Sequence, residues 1–483
     1  MSSTATVPVD TRELPPGPSA PAIIQTFRYV FRPLTSGAAY ARRFGDCFTL
    51  RVLGNRPIVV FTDPEAIKDI FSGDPEIFSL GEATTDLLEP ILGRNSILVL
   101  DGERHLRERR LMLPPFHGER MKAYGEVMRE VTNRRVDTWP VGRPFPVHRE
   151  MQAITLEIIM RAVFGVEEGA ALDRLRRHLV RITELQNSAA AVVLAVPALR
   201  FDLGRFSPWG RFVRDRDAFR AILRTEIARR RREGAAGRED ILAMLVEARD
   251  EEGAPMSDEE LLDEMLTLLT AGHETTAGQL AWTFYHVLRR PDVVRKLRAE
   301  LDDAFGSGPI EPTAIGRFEY LDAVVKESQR ISPVAPRVGR RLRHPARIGG
   351  RDLPAGVGVS PDVHLTHHRP DPWPEPDRFL PERFLGARPS PYAFFPFGGG
   401  IRRCLGAAFA TYEMKIVLAE VVRRTDLRVM PGYRMRPVLR VVTVGPSRGM
   451  PVVLDARKAP HAGDAAACSG TVGAKPVSAA AGA

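Results

Sequence analysis

Apolar residues recur along this chain with two different periods. Near the N-terminus they come in short runs. Phe48-Thr49-Leu50-Arg51-Val52 and Pro57-Ile58-Val59-Val60-Phe61 flank the turn Gly54-Asn55 and predict two joined strands. Asp63-Pro64 follows and predicts a short helix, since proline suits a first helical turn. From about residue 102 to 305 the period becomes helical. Helices are predicted over residues 120–139, 150–164, 212–233 and 257–289, with a further one over 321–330. After residue 336 short strands and proline turns return. A last helix is predicted from about residue 404 to 424, with Leu405, Phe409, Met414, Val417, Leu418 and Val421 along one face. The expected fold class is mainly α, a large helical body with a smaller β-rich portion.

The ends break this pattern. Residues 1–18 are Ser/Thr/Pro-rich and finish in Leu14-Pro15-Pro16-Gly17-Pro18, and residues 456–483 are mostly Ala, Gly, Ser and Pro. The expected division is a flexible lead-in (1–18), one domain (19–455) and a disordered tail (456–483). Of 483 residues, 44% are hydrophobic and 27% charged, which excludes a disordered or fibrous chain. No apolar run reaches 18 residues; the longest, 189–199, contains Pro197. No basic-then-apolar leader opens the chain. Cys47, Cys404 and Cys468 cannot build a disulfide framework, so a reducing, cytoplasmic location is expected. The net charge of +9 permits an acidic partner without identifying one.

The chemistry concentrates in Phe397-Gly398-Gly399-Gly400-Ile401-Arg402-Arg403-Cys404-Leu405-Gly406. Three successive glycines let backbone approach something closely. Cys404 follows, at the predicted start of the last helix, where free N–H groups and the helix dipole favour thiolate. A lone cysteine of this kind is open to three readings: nucleophile, metal ligand or inert core thiol. The segment matches Phe-x-x-Gly-x-Arg-x-Cys-x-Gly, and here the chain resembles the cytochrome P-450 superfamily. The resemblance implies a cytochrome P-450 fold, with haem b between a long distal helix and a proximal cysteine loop. It implies that Cys404 is the iron ligand, that Gly398 and Gly406 shape the loop against the porphyrin, that Phe397 packs beside the sulfur, and that Arg402 reaches a haem propionate.

Three more segments carry the resemblance. Glu327-Ser328-Gln329-Arg330 places an acid and a base three apart on one helix face. With Pro381-Glu382-Arg383-Phe384 it resembles a buried Glu327, Arg330 and Arg383 triad that supports the cysteine loop. Ala271-Gly272-His273-Glu274-Thr275-Thr276 lies inside the long helix that opens near Ser257. Glycine and threonines there weaken a helix interior. Position i+4 from His273 is Ala277, which rules out the zinc-protease pattern. By resemblance this helix crosses the distal haem face; Thr275 donates a hydrogen bond to bound dioxygen and Glu274 takes part in proton relay. His273 is assigned no role. His105 and Arg109, four apart, share a helix face and by resemblance hold propionates, as does Arg340.

The resemblance spans about residues 14–455 and implies a soluble, bacterial-type, monomeric monooxygenase. It implies electrons from NAD(P)H through a ferredoxin or flavodoxin with its reductase. No flavin segment is evident, and three cysteines cannot hold a four-cysteine cluster as well as haem. Arg402, Arg403 and Lys415 near the cysteine loop suit docking of an acidic donor. Expected pocket segments are Ser96-Ile97, Leu268, Ala271, Val334-Ala335 and Val442-Thr443, with 194–196 in an access lid over 189–199. Their small or aliphatic character points to a lipophilic substrate, with fatty acids and terpenoids ahead of polyketides and other secondary metabolites. A peroxide-driven enzyme or isomerase, and a non-catalytic haem protein, are the rival readings.

Overall fold

The structure is a computed structural model that describes residues 13–459, apart from 119, 166–169, 187–192, 194–198, 235–236 and 239. The expected lid segment over 189–199 falls almost wholly outside the described residues; within it Val193 is buried and Leu199 exposed.

The helix Asp258–Val287 is the axis of the molecule. Ser257 and Glu260 form a capping box at its start: the Ser257 side chain accepts from Glu260 N, and Glu260 accepts from Ser257 N at 2.7 Å. Beyond the first turn it is buried nearly all round, with Leu261, Leu262, Leu266, Leu269, Leu280, Trp282 and Phe284 at 0–1% exposure. Each such side chain contributes about 1.5–3 kcal/mol of hydrophobic stabilisation. A helix this apolar needs neighbours on every side. They are Val147–Phe164, Pro208–Glu233, Glu319–Ile331 and Ala407–Arg424. Gly272 faces Val147–Phe164, and a Cβ there would lie 3.3 Å from Ile159. The mid-helix glycine thus serves a close helix crossing. The helix is unbroken, and Thr275 and Thr276 donate back to Ala271 O (2.7 Å) and Gly272 O (3.0 Å).

The predicted strands are Cys47–Leu50 and Ile58–Phe61, antiparallel, with Val60 opposite Phe48. They form one edge of a five-stranded sheet continued by Gly358–Pro361, Arg340–Leu342 and Phe78–Ser79. Predicted and observed helices agree to within a few residues, as in Arg120–Asp137 and Pro208–Glu233. The last helix differs. It starts at Ala407 with Gly406 as its N-cap, so Cys404 lies in the connecting turn and not in the first helical turn.

Candidate active site

Cys404 is held by its own loop. Its N–H donates to Phe397 O at 2.9 Å, closing the segment between the two residues. Gly398 adopts φ +69°, a left-handed conformation that favours glycine. A Cβ on Gly399 or Gly400 would fall 2.2 Å from the Phe71 ring or 2.1 Å from Phe71 O. The triple glycine therefore lets the loop close onto Phe71, where a porphyrin contact was expected to require it. The thiol is surrounded by protein yet exposed, as a group facing an internal hollow is. Burial pushes its pKa up, outweighing a Gly406 hydrogen bond and the positive charges of Arg109 and Arg403. The thiolate expected from a helix N-terminus is thus not the free-protein state.

Behind the loop sits the Glu327 cluster, with Glu327 and Arg330 fully buried and Arg383 at its edge. Arg330 grips Glu327 with two bonds, Nε to Oε2 at 2.7 Å and Nη2 to Oε1 at 2.9 Å. Arg383 Nε reaches Oε1 at 3.2 Å and Leu380 N donates to it at 2.8 Å. Arg330 also donates to His367 O at 2.7 Å, and His367 Nε2 accepts from Phe395 N at 3.0 Å. The charge cluster is thereby tied to the chain two residues before Phe397. His367, absent from the sequence expectations, is the connector; burial keeps its pKa well below the usual value, so the ring is neutral and can accept.

On the edge of the hollow, His105, Arg109, Arg340 and Arg402 converge. Burial, with the charges of Arg402, Arg109 and Arg340 and against Asp101, lowers the His105 pKa to about 3. Burial and Arg402 bring Arg340 down to about 10. Among the described residues neither His105 nor Arg109 has an ion pair or side-chain hydrogen bond, and Arg340 donates only to Gly339 O at 2.7 Å. This excess of donors over acceptors calls for anionic groups. Arg402 departs from the expectation. It donates to Leu100 O at 2.7 Å, to Ile97 O and to Asp101, binding the cysteine loop to residues 97–101.

On the central helix, Ala271 is exposed in the middle of an otherwise buried run, with Leu268 and Thr275 on the same face partly so. Thr275 is on this side. Glu274 points away, where Gln152 Nε2 donates to its Oε2 at 2.7 Å. His148 and Arg440 approach Oε1 at 3.7 and 3.6 Å, and Arg440 bonds the His148 ring at 2.8 Å. Burial keeps His148 neutral, its pKa well below the usual value. Gln152, His148 and His273 border a hollow of about 900 Å³ that opens to solvent. No motif marks Gln152, His148 or Arg440 in the sequence.

Other expected pocket residues separate. Val334 and Ala335 are partly exposed, and Ile97 is buried at 8%. Ser96 is fully buried and accepts from Thr267 Oγ1 at 2.8 Å, so it fastens its segment to the central helix. Thr443 is buried with its hydroxyl on Arg440 O, whereas Val442 is 53% exposed. Lys415 is buried and paired with Asp322 at 2.5 Å. Of the three cations expected to greet an acidic partner, Arg403 alone stays exposed, at a recess of about 470 Å³ that Arg109, His117 and Cys404 also line.

A haem suits these residues: a soft sulfur ligand on one side, unpaired cations for two propionates, and a small-residue stretch of helix opposite. The fold and this arrangement define a class, the haem-thiolate oxygenases. Comparison with known proteins agrees. The cytochrome P450 family model matches residues 15–451. Cytochrome P450 135B1 of Mycobacterium tuberculosis is 40% identical over 437 residues, 90% of each chain. Cytochrome P450 138 of the same species is 37% identical over 446 residues, 92% of this chain and 97% of that one. Two solved structures superpose with a TM-score of 0.78. One is a cyanobacterial CYP120A1 bound to retinoic acid (24% identical, 91% of this chain and 99% of that one) and the other the haem domain of cytochrome P450DA (25% identical, 93% and 98%). The chain belongs to the cytochrome P450 family and is a monooxygenase. Among the described residues no helix is long and apolar enough to cross a membrane.

Proposed function

We propose that the protein inserts one oxygen atom of O2 into a lipophilic small molecule, a fatty acid or terpenoid first. Electrons come from NAD(P)H through a ferredoxin or flavodoxin and its reductase. When bound, haem supplies the oxygen activation; the chain supplies position and protons. Cys404 is the proximal ligand, placed by the Phe397 carbonyl and supported through His367 by Glu327, Arg330 and Arg383. His105, Arg109 and Arg340 would receive the propionates, while Arg402 ties the cysteine loop to residues 97–101.

The observation that supports the monooxygenase direction is that Thr275 is half-buried on the helix face that exposes Ala271, next to buried Glu274, whose partners His148 and Arg440 border a hollow open to solvent. A hydroxyl and an acid in sequence can pass protons inward. Gln152 fixes one Glu274 oxygen, and the other faces neutral His148 beside water. On this reading Glu274 and Thr275 would pass protons inward in sequence, Glu274 as the acid and Thr275 as the hydroxyl that hands them on. The leading substrate classes rest on the apolar character of Leu268, Ala271, Val334 and Ala335, which suits a substrate without charge at the reacting end.

Thr275→Ala should keep haem and substrate binding but divert electrons into hydrogen peroxide. Unchanged product per electron would refute its role. Spectral titration of the ferric protein against fatty acids, terpenes and steroids tests the substrate class. Product with peroxide alone, and none with a ferredoxin system, would overturn the electron route.

A further inference from the structure

The helix Ala22–Phe31 is oriented inside out. Ile23, Ile24, Phe27, Val30 and Phe31 are 64%, 42%, 62%, 41% and 65% exposed. At 100° per residue these five fall within about 120° of arc, so they form one apolar stripe facing solvent. The polar residues face the protein and are bonded there. Gln25 Nε2 donates to Pro18 O (3.0 Å) and Ala20 O (2.8 Å), and its Oε1 accepts from Arg51 N at 2.9 Å. Thr26 Oγ1 accepts from Leu53 N at 2.9 Å. Turning the helix to bury its stripe would break all four bonds and strand a buried amide, so the outward stripe is enforced.

The patch extends beyond the helix. Leu53 is 53% exposed next to Thr26, and the adjoining strand Pro437–Arg440 exposes Val438 at 41%. Contiguous exposed apolar surface of this kind marks an interaction site. Its surroundings are uniformly positive. Residues 20–56 hold Arg28, Arg32, Arg42, Arg43, Arg51 and Arg56 against one acid, Asp46, which pairs with Arg369. None of the six arginines pairs with a carboxylate among the described residues.

We propose that Ala22–Phe31 is an interfacial helix that seats the protein on an anionic lipid surface, its apolar stripe among the acyl chains and the surrounding arginines at the headgroups. An amphipathic helix with an aromatic face and flanking arginines binds in this way without spanning the bilayer. A second copy of the chain fits worse. A two-fold contact through the same patch would bring six arginines against six. Seated so, the protein turns the 437–446 hairpin toward the bilayer, where lipophilic molecules partition.

Flotation of the haem-loaded protein tests this, with vesicles of equimolar phosphatidylglycerol and phosphatidylcholine against pure phosphatidylcholine. The wild type should float with the anionic vesicles and detach as salt rises. Phe27→Glu combined with Phe31→Glu should reduce binding about tenfold or more. Both sites are exposed, so the absorbance spectrum and melting temperature should not move. Arg28→Glu with Arg32→Glu should weaken anionic binding and leave the stripe intact. Equal binding to both vesicles, or full binding by the double phenylalanine variant, would overturn the proposal. So would a dimer in solution that this variant dissolves, in a protein that ignores vesicles.

Discussion

The cysteine side and the opposite side of the hollow hold their buried acids differently. Glu327 receives four donated hydrogen bonds, two from Arg330 and one each from Arg383 and Leu380. Arg330 in turn donates to the His367 carbonyl, and the His367 ring accepts from Phe395 N, two residues before Phe397. Glu274 accepts from Gln152, and its second oxygen lies 3.7 Å from His148 and 3.6 Å from Arg440, two side chains that border a hollow open to solvent. Saturation fixes geometry: breaking a buried pair leaves an uncompensated charge. Glu274 is instead held by side chains from distant helices and strands beside that hollow. On the proposed function the first network is the scaffold and the second the proton path.

The strongest way to break this comparison is Glu327→Ala. It leaves Arg330 and Arg383 buried without their acid and should cost about 3–5 kcal/mol in chemical denaturation, with haem occupancy falling too. A variant as stable as the parent would remove the scaffold role. A pH series probes the other side. Glu108 and Glu264 are buried on facing helices, and Glu264 accepts from Ile97 N at 2.7 Å. Burial, helped by Glu260 and opposed by Arg107 and Arg104, raises Glu108 to about 7. Burial, Glu108, Asp263 and Glu260 push Glu264 well above the ordinary carboxyl range, against the Ile97 bond. The folded state therefore binds protons that the unfolded chain releases. This stability is full below the unfolded value and is lost as pH rises through about 7. The Glu108 share is on the order of 3 kcal/mol. Glu108→Gln should flatten the slope of unfolding free energy against pH, and an unchanged slope would reject the assignment.

Smaller effects separate use from support. Glu274→Gln should lower coupled turnover about 10²-fold while leaving denaturation within about 1 kcal/mol. Equal losses in both would make Glu274 another scaffold residue. Gln152→Leu should cost about 1 kcal/mol of stability and lower coupled turnover less than Glu274→Gln does, because Glu274 loses one donor but keeps its acid group.

What the sequence disclosed follows the same division. The residues from Phe397 to Gly406, and Glu327 with Arg330, act within one loop or one helix turn, so their spacing records their geometry. Gln152, His148 and Arg440 meet Glu274 from 122, 126 and 166 residues away, where spacing carries no such record. Charge was misread for a related reason. Lys415 and Arg402 look available in a list of basic residues, but Asp322 and Asp101 claim them in three dimensions. The helix start was misplaced because Leu405 continues the apolar period, while the helical backbone begins only at Ala407, after the Gly406 N-cap.

The central claim is that Cys404 is the sulfur ligand of a haem. Its most direct test is the reduced carbon-monoxide spectrum of wild type and Cys404→Ser, each reconstituted with haem. The wild type should show the red-shifted Soret band of a thiolate complex, and the variant should retain haem without that band. A variant that keeps the band would place the ligand elsewhere and contradict the account.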